Sequence, residues 1–294
     1  MINKRIILGT AQFTKNYSLF KNKFSQKEKI LFIKSANKKG IKVFETSPTY
    51  GDAEKFLGLH AKSCDIIWKI PRVTNLKSNS IEHSCKIIKK SLKKLNRKSF
   101  DTILLHSAED LIGKNGKKLF HTLLELKKMG ICKKIGVSLY KKKTLKKIFK
   151  RFKLDVIQLP YNIIQTEFTD IELLTLKKKF KFLEIHARSI FHQGLLLKKI
   201  NKGKNSKFKK LMNEQNKILN QLLNICKKNN CSLFDLCLSH VLRKKFIDKI
   251  VIGVENSKEL SQILHYRKIK KLNFKKIIYN KSILDPISWL KLKH

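Results

Sequence analysis

Eight short β-rich runs recur along this chain, and amphipathic helical stretches lie between most of them. The runs are Arg5–Gly9, Lys42–Thr46, Ile66–Ile70, Thr102–His106, Lys134–Ser138, Val156–Tyr161, Phe182–Ala187 and Lys249–Val254. Several are nearly continuous in apolar residues, the pattern of strands buried on both faces. After the third run, Ile81, Cys85, Ile88, Leu92 and Leu95 step by fours and threes and make one apolar stripe. Lys86, Lys89, Lys90, Lys93 and Lys94 fall on the other side and read as a solvated helix face. Eight strand–helix units predict an α/β chain folded as a (β/α)8 barrel, a single domain over residues 1–294. The competing architecture is a doubly wound open sheet. Its dinucleotide-binding form carries Gly-x-Gly-x-x-Gly after the first strand. Here Gly9 is followed by Thr10, Ala11, Gln12 and Phe13. The run Gly113–Lys117 lacks the spacing of a phosphate-binding loop and has no strand before it.

Two segments stand outside the repeat. Residues 198–230 follow the seventh run and predict an extra helix from Phe208 to Lys228. A tail from Lys271 to His294, containing Asp285, Pro286 and Trp289, is expected to lie over the barrel mouth.

Charge is the unusual feature of the composition. The chain has 67 basic and 21 acidic residues, a net charge of +46. Such a balance suggests nucleic acid or another anionic surface. Its distribution argues otherwise: all but seven of the 67 are Lys, and Arg is the better reader of bases and phosphates. The lysines also spread along the whole chain. No specific nucleic-acid partner is expected. No apolar run approaches the ~20 residues that cross a bilayer. Ile6–Leu8 is too short for a signal-peptide core, so a soluble cytoplasmic protein is expected. None of the six cysteines pair as Cys-x-x-Cys, and reduced thiols are expected. Cys231, Cys237 and His240 sit in a helix-like apolar pattern that reads as buried thiols rather than a metal site.

Activity in such a barrel sits at the C-terminal strand ends. The second run ends in Glu45 and Thr46 and leads to Tyr50, the third carries Lys69, and the fourth ends in His106. A carboxylate, a phenol, an amine and an imidazole thus converge on one face. A phenol has an ordinary pKa near ~10 and is a poor acid at neutral pH. A nearby ammonium lowers that value, a carboxylate holds the ammonium, and an imidazole orients a substrate oxygen. Beside a hydride donor, this set reduces a carbonyl.

These segments resemble the aldo-keto reductase family over nearly the whole chain. The opening Leu8-Gly9-Thr10-Ala11-Gln12 is similar to the family's first strand. The segment Phe44–Gly58 (FETSPTYGDAEKFLG) resembles its main signature, which usually begins Phe-Asp-Thr. Further matches are Lys69, LLHS around His106, GVSLY from Gly136, IQLPYN from Ile157, ARSIFHQGLLL from Ala187 and VIGVENSKEL from Val251. The resemblance implies a nicotinamide cofactor held without a Rossmann fold. It implies Tyr50 as general acid, Lys69 as the group that tunes it, His106 as the carbonyl-orienting residue, and Glu45 in the place of the family Asp. It implies Ser138 and Gln158 at the nicotinamide carboxamide and Arg188 against the ring. Ser189–Leu195, with Gly194, match a pyrophosphate-side loop. Gly9 and Thr10 match the opening cofactor edge, and Gly253–Leu260, with Ser257, match an adenosine-phosphate loop and helix N-terminus. Glu255 and Glu259 stand where basic or small residues favour a 2′-phosphate, with Lys258 offering one positive charge. NADPH is expected as cofactor by a small margin over NADH, and the substrate is a small-molecule aldehyde, ketone or sugar carbonyl. Phe13, Tyr17, Trp289 and His106 would supply a mixed aromatic pocket. The extra methylene of Glu45 leaves a catalytically impaired, cofactor-binding barrel with a regulatory or redox-sensing role as the alternative.

Overall fold

The apolar runs form strands because each is covered on both sides, by the barrel interior and by a layer of helices. In the computed structural model the described residues are 2–14, 25–72, 80–165, 167–199, 206–254, 257–269, 272, 274 and 277–284. The strands are β1 (Ile6–Gly9), β2 (Val43–Thr46), β3 (Asp65–Ile70), β4 (Phe100–Leu105), β5 (Cys132–Ser138), β6 (Val156–Pro160), β7 (Glu184–Arg188) and β8 (Lys249–Ile252). They pair in sequence order, all parallel, and β8 returns to β1 to close the barrel. This is the predicted (β/α)8 architecture, and closure leaves no open sheet edge.

The helices on the outside are α1 (Gln26–Lys38), α2 (Ala53–His60), α3 (Ser80–Leu95), α4 (Glu109–Ile112), α5 (Gly116–Lys128), α6 (Lys142–Phe149), α7 (Asp170–Lys179), α8 (Ser206–Asn229), α9 (Leu233–Leu242) and α10 (Ser257–Leu264). Helix α8 is the predicted extra helix, and α9 is the helix that precedes β8. Short α4 belongs to no strand–helix pattern; it continues the loop after β4. The stripe predicted on α3 does face inward at Ile88 and Leu95, whereas Lys89, Lys90, Lys93 and Lys94 are exposed.

Inside the barrel, Ile7, Ile67, Leu104, Val156 and Val251 form an apolar plug from five strands. Such filling makes the barrel a packed core rather than a pore. β5 and β6 approach closely at Gly136, where a Cβ would stand 2.1 Å from the Val156 carbonyl oxygen. Only glycine fits there. At the strand starts, the Arg5 guanidinium donates to the carbonyls of Leu242 at 2.7 Å and Ile247 at 2.6 Å, which pins the first strand to the last helix–strand corner.

A second core joins α8 and α9 to the loops after β6 and β7. It contains Ile164, Leu195, Leu196, Ile218, Leu222 and Leu236, with Ile277 and Ile283 from the tail. The tail's described part therefore packs against α8 and the neighbouring loops. Asp285, Pro286 and Trp289 lie outside the described residues, as does Tyr17.

Candidate active site

The strand ends open into a cavity of about 610 Å³, within the ~300–1,000 Å³ range of ligand pockets. Glu45, Tyr50, Lys69 and His106 all line it. β2 supplies Glu45 and β3 supplies Lys69, and the parallel pairing sets these strand ends side by side. The Lys69 ammonium donates to Glu45 Oε1 at 2.7 Å, with both side chains 5% exposed. The other carboxylate oxygen, Oε2, accepts from the Gln158 Nε2, which reaches it from β6 across the barrel. Glu45 thus has both oxygens engaged, one by a cation and one by an amide. A buried carboxylate requires this, because taking a lone charge out of water is costly.

Tyr50 follows a turn after β2 and is 8% exposed. Its ring meets that of His106 edge to face, with centroids 6.3 Å apart. Burial holds the phenol well above its ordinary pKa, and the Glu45 charge adds to that; Arg188 acts in the opposite sense. Burial pushes the His106 imidazole down to about 4, and the Lys69 and Arg188 charges push the same way against Glu45. At neutral pH the site therefore presents a protonated phenol beside a neutral imidazole. Lys69 is held by Glu45, so its direct effect here is to offset the carboxylate that raises Tyr50.

Arg188 leaves the end of β7 and donates from Nε to Ser138 Oγ at 3.3 Å and from Nη2 to the Leu139 carbonyl at 3.1 Å. Its guanidinium lies 4.1 Å from the centre of the Tyr140 ring. Glu184 sits at the opposite end of β7 and pairs with Lys134 at 2.5 Å and with His186. The loop after β7 is backbone-strained: Ser189, His192 and Gln193 have φ of 58°, 47° and 55°, and Gly194 has 86°. Such conformations persist only where surroundings fix them. Asn162 donates to the Ser189 carbonyl at 2.9 Å, and Gln215 of α8 donates to the Leu195 and Lys198 carbonyls at 2.8 and 2.7 Å. The extra helix thus holds the loop that lines the cavity.

Of the other residues expected at a cofactor, Gly9, Ser138, Arg188, Ser189, Gly194 and Gly253 line the cavity. Three do not. Thr10 is fully buried and donates to the Glu45 carbonyl at 2.9 Å, so it positions the β2 end rather than facing the cavity. Gln158 is fully buried behind Glu45. Ser257 begins α10, and its side chain lies outside what the structure describes. A Cβ at Gly253 would stand 2.5 Å from Gln12 Oε1, so a side chain there would make the Gln12 amide shift. Gln12, Tyr140, Phe191, Phe234 and Gln262 also line the cavity; the first three lie in motifs the sequence showed but were not singled out there, and Phe234 and Gln262 lie in none. Phe191 and Phe234 stack at 5.0 Å, a contact between the β7 loop and α9 that only the fold creates. The described residues include no cluster of His, Cys, Asp and Glu able to hold a metal, and Cys237 is buried in the second core. No described helix is long and apolar enough to cross a membrane.

The profile of the aldo/keto reductase family matches residues 5–285. The chain belongs to the aldo-keto reductase family. Among solved structures, a glycerol dehydrogenase from Gluconobacter oxydans superposes with a TM-score of 0.69 at 17% identity, covering 99% of this chain and 92% of that one. An aldo-keto reductase from Bacillus halodurans, in its holo form, gives 0.68 at 16% identity, covering 97% and 91%. At these identities the likeness shows the barrel fold alone. No curated protein matches the sequence significantly. Membership makes the chain a carbonyl-reducing oxidoreductase of a family whose members generally use nicotinamide cofactors and act on small-molecule carbonyl compounds.

Proposed function

We propose that this aldo-keto reductase reduces an aldehyde, ketone or sugar carbonyl to the alcohol with NADPH or NADH, acting in the cytoplasm on a small soluble substrate. The observation that carries the reading is the shared lining of one cavity by Tyr50, His106 and the buried Glu45–Lys69 pair. When bound, the reduced nicotinamide supplies the hydride that goes to the carbonyl carbon. Tyr50 transfers its phenolic proton to the carbonyl oxygen. Its raised pKa keeps that proton in place until charge develops on the oxygen. Neutral His106 orients the carbonyl, and Lys69 balances Glu45 so that the developing negative charge meets a site with no excess anion.

Several features support a nicotinamide site. Arg188 offers a flat cation beside Ser138, suited to stacking on an aromatic ring. Gln158 Oε1 is buried without a partner among the described residues, and Nε2 is committed to Glu45. The amide stands behind Glu45 rather than on the cavity wall, so it would act on a bound nicotinamide by holding the carboxylate in place. Ser189–Leu195 would face the pyrophosphate, and Gly9 and Gly253 leave room along its edge.

The test is loss of reduced-nicotinamide absorbance on mixing the protein with NADPH, or separately NADH, and a panel of aldehydes, ketones and aldoses. Turnover with any of them is the expected result. Binding of the dinucleotide without turnover of any would replace this reading by that of a non-catalytic barrel. The pH profile is a second check. Burial pushes the His106 pKa down to about 4, so the imidazole is almost wholly neutral from about two pH units above that value. The acid limb of kcat/KM is expected near pH 4, with no inflection at the ordinary imidazole value of ~6.5. A limb near 6.5 would show that His106 is not the orienting group or is not buried in the active form.

A further inference from the structure

Deeper in the barrel lies a second set of buried polar side chains. Residues two apart on a strand share a face. Val156 belongs to the apolar plug, so Gln158 on the same strand also points inward. Its partner in register on β7 is His186, and Glu184 is in register with Val156. Gln158 and His186 are both fully buried. His186 Nε2 lies 3.0 Å from Glu184 Oε2. Glu184 is held in turn by Lys134 of β5 at 2.5 Å and by Lys249 of β8 at 4.0 Å. A line of polar groups thus runs from the strand starts, through His186 and Gln158, to Glu45.

Two buried atoms on this line have no hydrogen-bond partner among the described residues: Gln158 Oε1 and His186 Nδ1. Both are acceptors. The Glu45 carboxylate can only accept, so it takes the N–H end of the Gln158 amide and leaves the carbonyl oxygen over. The Glu184 carboxylate likewise takes the Nε2 proton of His186, and a neutral ring then has a lone pair at Nδ1. Burial holds this imidazole below its ordinary pKa, and the Lys249 charge adds to that, against Glu184 and Glu45. Lys134 and Lys249 already supply the positive charge that Glu184 needs. Two acceptors cannot bond each other. A water molecule has two hydrogens to give, and buried waters are held by such otherwise unpaired groups. The other in-register neighbour of Gln158 is Ser138, whose hydroxyl oxygen is turned to Arg188 Nε.

We propose that His186 is a positioning residue of the site, acting through one buried water that donates to its Nδ1 and to Gln158 Oε1. The water fixes the amide with its N–H end on Glu45, and Glu45 is thereby kept on Lys69. The effect on turnover rests on the function proposed above; the water site does not.

The two nitrogens of the imidazole are separable by substitution. In His186→Asn an amide oxygen replaces Nδ1 as the acceptor for the water, and the Glu184 contact is lost. In His186→Gln the Glu184 contact is kept and the partner of the water is lost. Steady-state kinetics and dinucleotide titration are run on both, with circular dichroism to show that each is folded. His186→Gln is expected to lower kcat by about ten-fold or more at unchanged KM and cofactor affinity, since a misplacement of about 1 Å costs roughly 100-fold. His186→Asn is expected to keep most of the wild-type kcat. Equal losses in the two variants, or a loss in His186→Asn alone, would overturn the positioning role. The wild type supplies a readout that needs no turnover and no variant. Nitrogen-15 NMR of its imidazoles is expected to show His186 protonated on Nε2 alone, and a crystal structure to show an ordered water within hydrogen-bond distance of both acceptors. A proton on Nδ1, or no water there, would overturn the proposal with the reductase reading intact. A wild type that holds the water and reduces no carbonyl would overturn the reductase reading and the positioning role together, and leave the water site standing.

Discussion

Tyr50→Phe is expected to lower kcat by about 10²–10⁴-fold while the dissociation constant for the reduced dinucleotide stays unchanged. The variant removes one oxygen and nothing else. The ring is packed edge to face on His106 and lies among core side chains, and Phe keeps both contacts. The lost group acts only as the carbonyl oxygen gains charge, so its removal is felt in the transition state rather than in cofactor binding. Steady-state kinetics with the best carbonyl from the panel, run beside a fluorescence titration, measure both quantities. A variant that keeps more than a tenth of the wild-type kcat would assign the proton to another donor. One that loses cofactor binding would show that Tyr50 shapes the cavity.

Lys69→Met is expected to destabilise the protein by about 3–5 kcal/mol. The substitution leaves the Glu45 carboxylate buried, with the Gln158 amide on one oxygen and no cation on the other. Met has a similar length and fills the space, so the loss is electrostatic rather than a cavity. Urea denaturation measures the change. The double variant Glu45→Met/Lys69→Met is the control: with both charges gone, most of the loss is expected to be recovered, because an apolar pair in such a site is often no worse than the ion pair. A loss below about 1 kcal/mol in the single variant would mean that water reaches the pair and screens it.

The sequence was legible where burial imposed a pattern. Strands covered on both faces must be apolar throughout, so runs such as Ile66–Ile70 and Val156–Tyr161 stood out against lysine-rich helices. The grouping of Glu45, Tyr50, Lys69 and His106 at one cavity was legible because strand order carries them to one face. Three kinds of feature were not. Glu45 and Gln158 are separated by 113 residues and meet across the barrel, which no local pattern encodes. The longer Glu side chain, a departure from the family when seen in the sequence, spans two partners in the fold. Thr10 sits beside a cavity-lining glycine, but its hydroxyl turns to the Glu45 carbonyl, a choice made by side-chain direction rather than position. The aromatic lining from Phe191 and Phe234 joins the loop after β7 to helix α9 by packing alone, and in a chain with 18 Phe residues that pairing is not signalled.

On the proposed reading, the chemistry and most of the cofactor lining come from different stretches of the polypeptide. Glu45, Tyr50, Lys69 and His106 come from β2 to β4 and the segments that follow them, whereas Ser138, Arg188, Ser189 and Gly253 come from β5 onward, with Gly9 of β1 beside them. The reactive centre is therefore a seam between two half-barrels, and the Gln158–Glu45 hydrogen bond is one of its stitches. A ligand spanning the seam is a tie between halves, and its binding energy adds to the cost of pulling them apart. On that reading, neither half alone holds a working site. If the chain were cut in the loop between β4 and β5 and the pieces mixed, the return of turnover would report that the two halves had found each other.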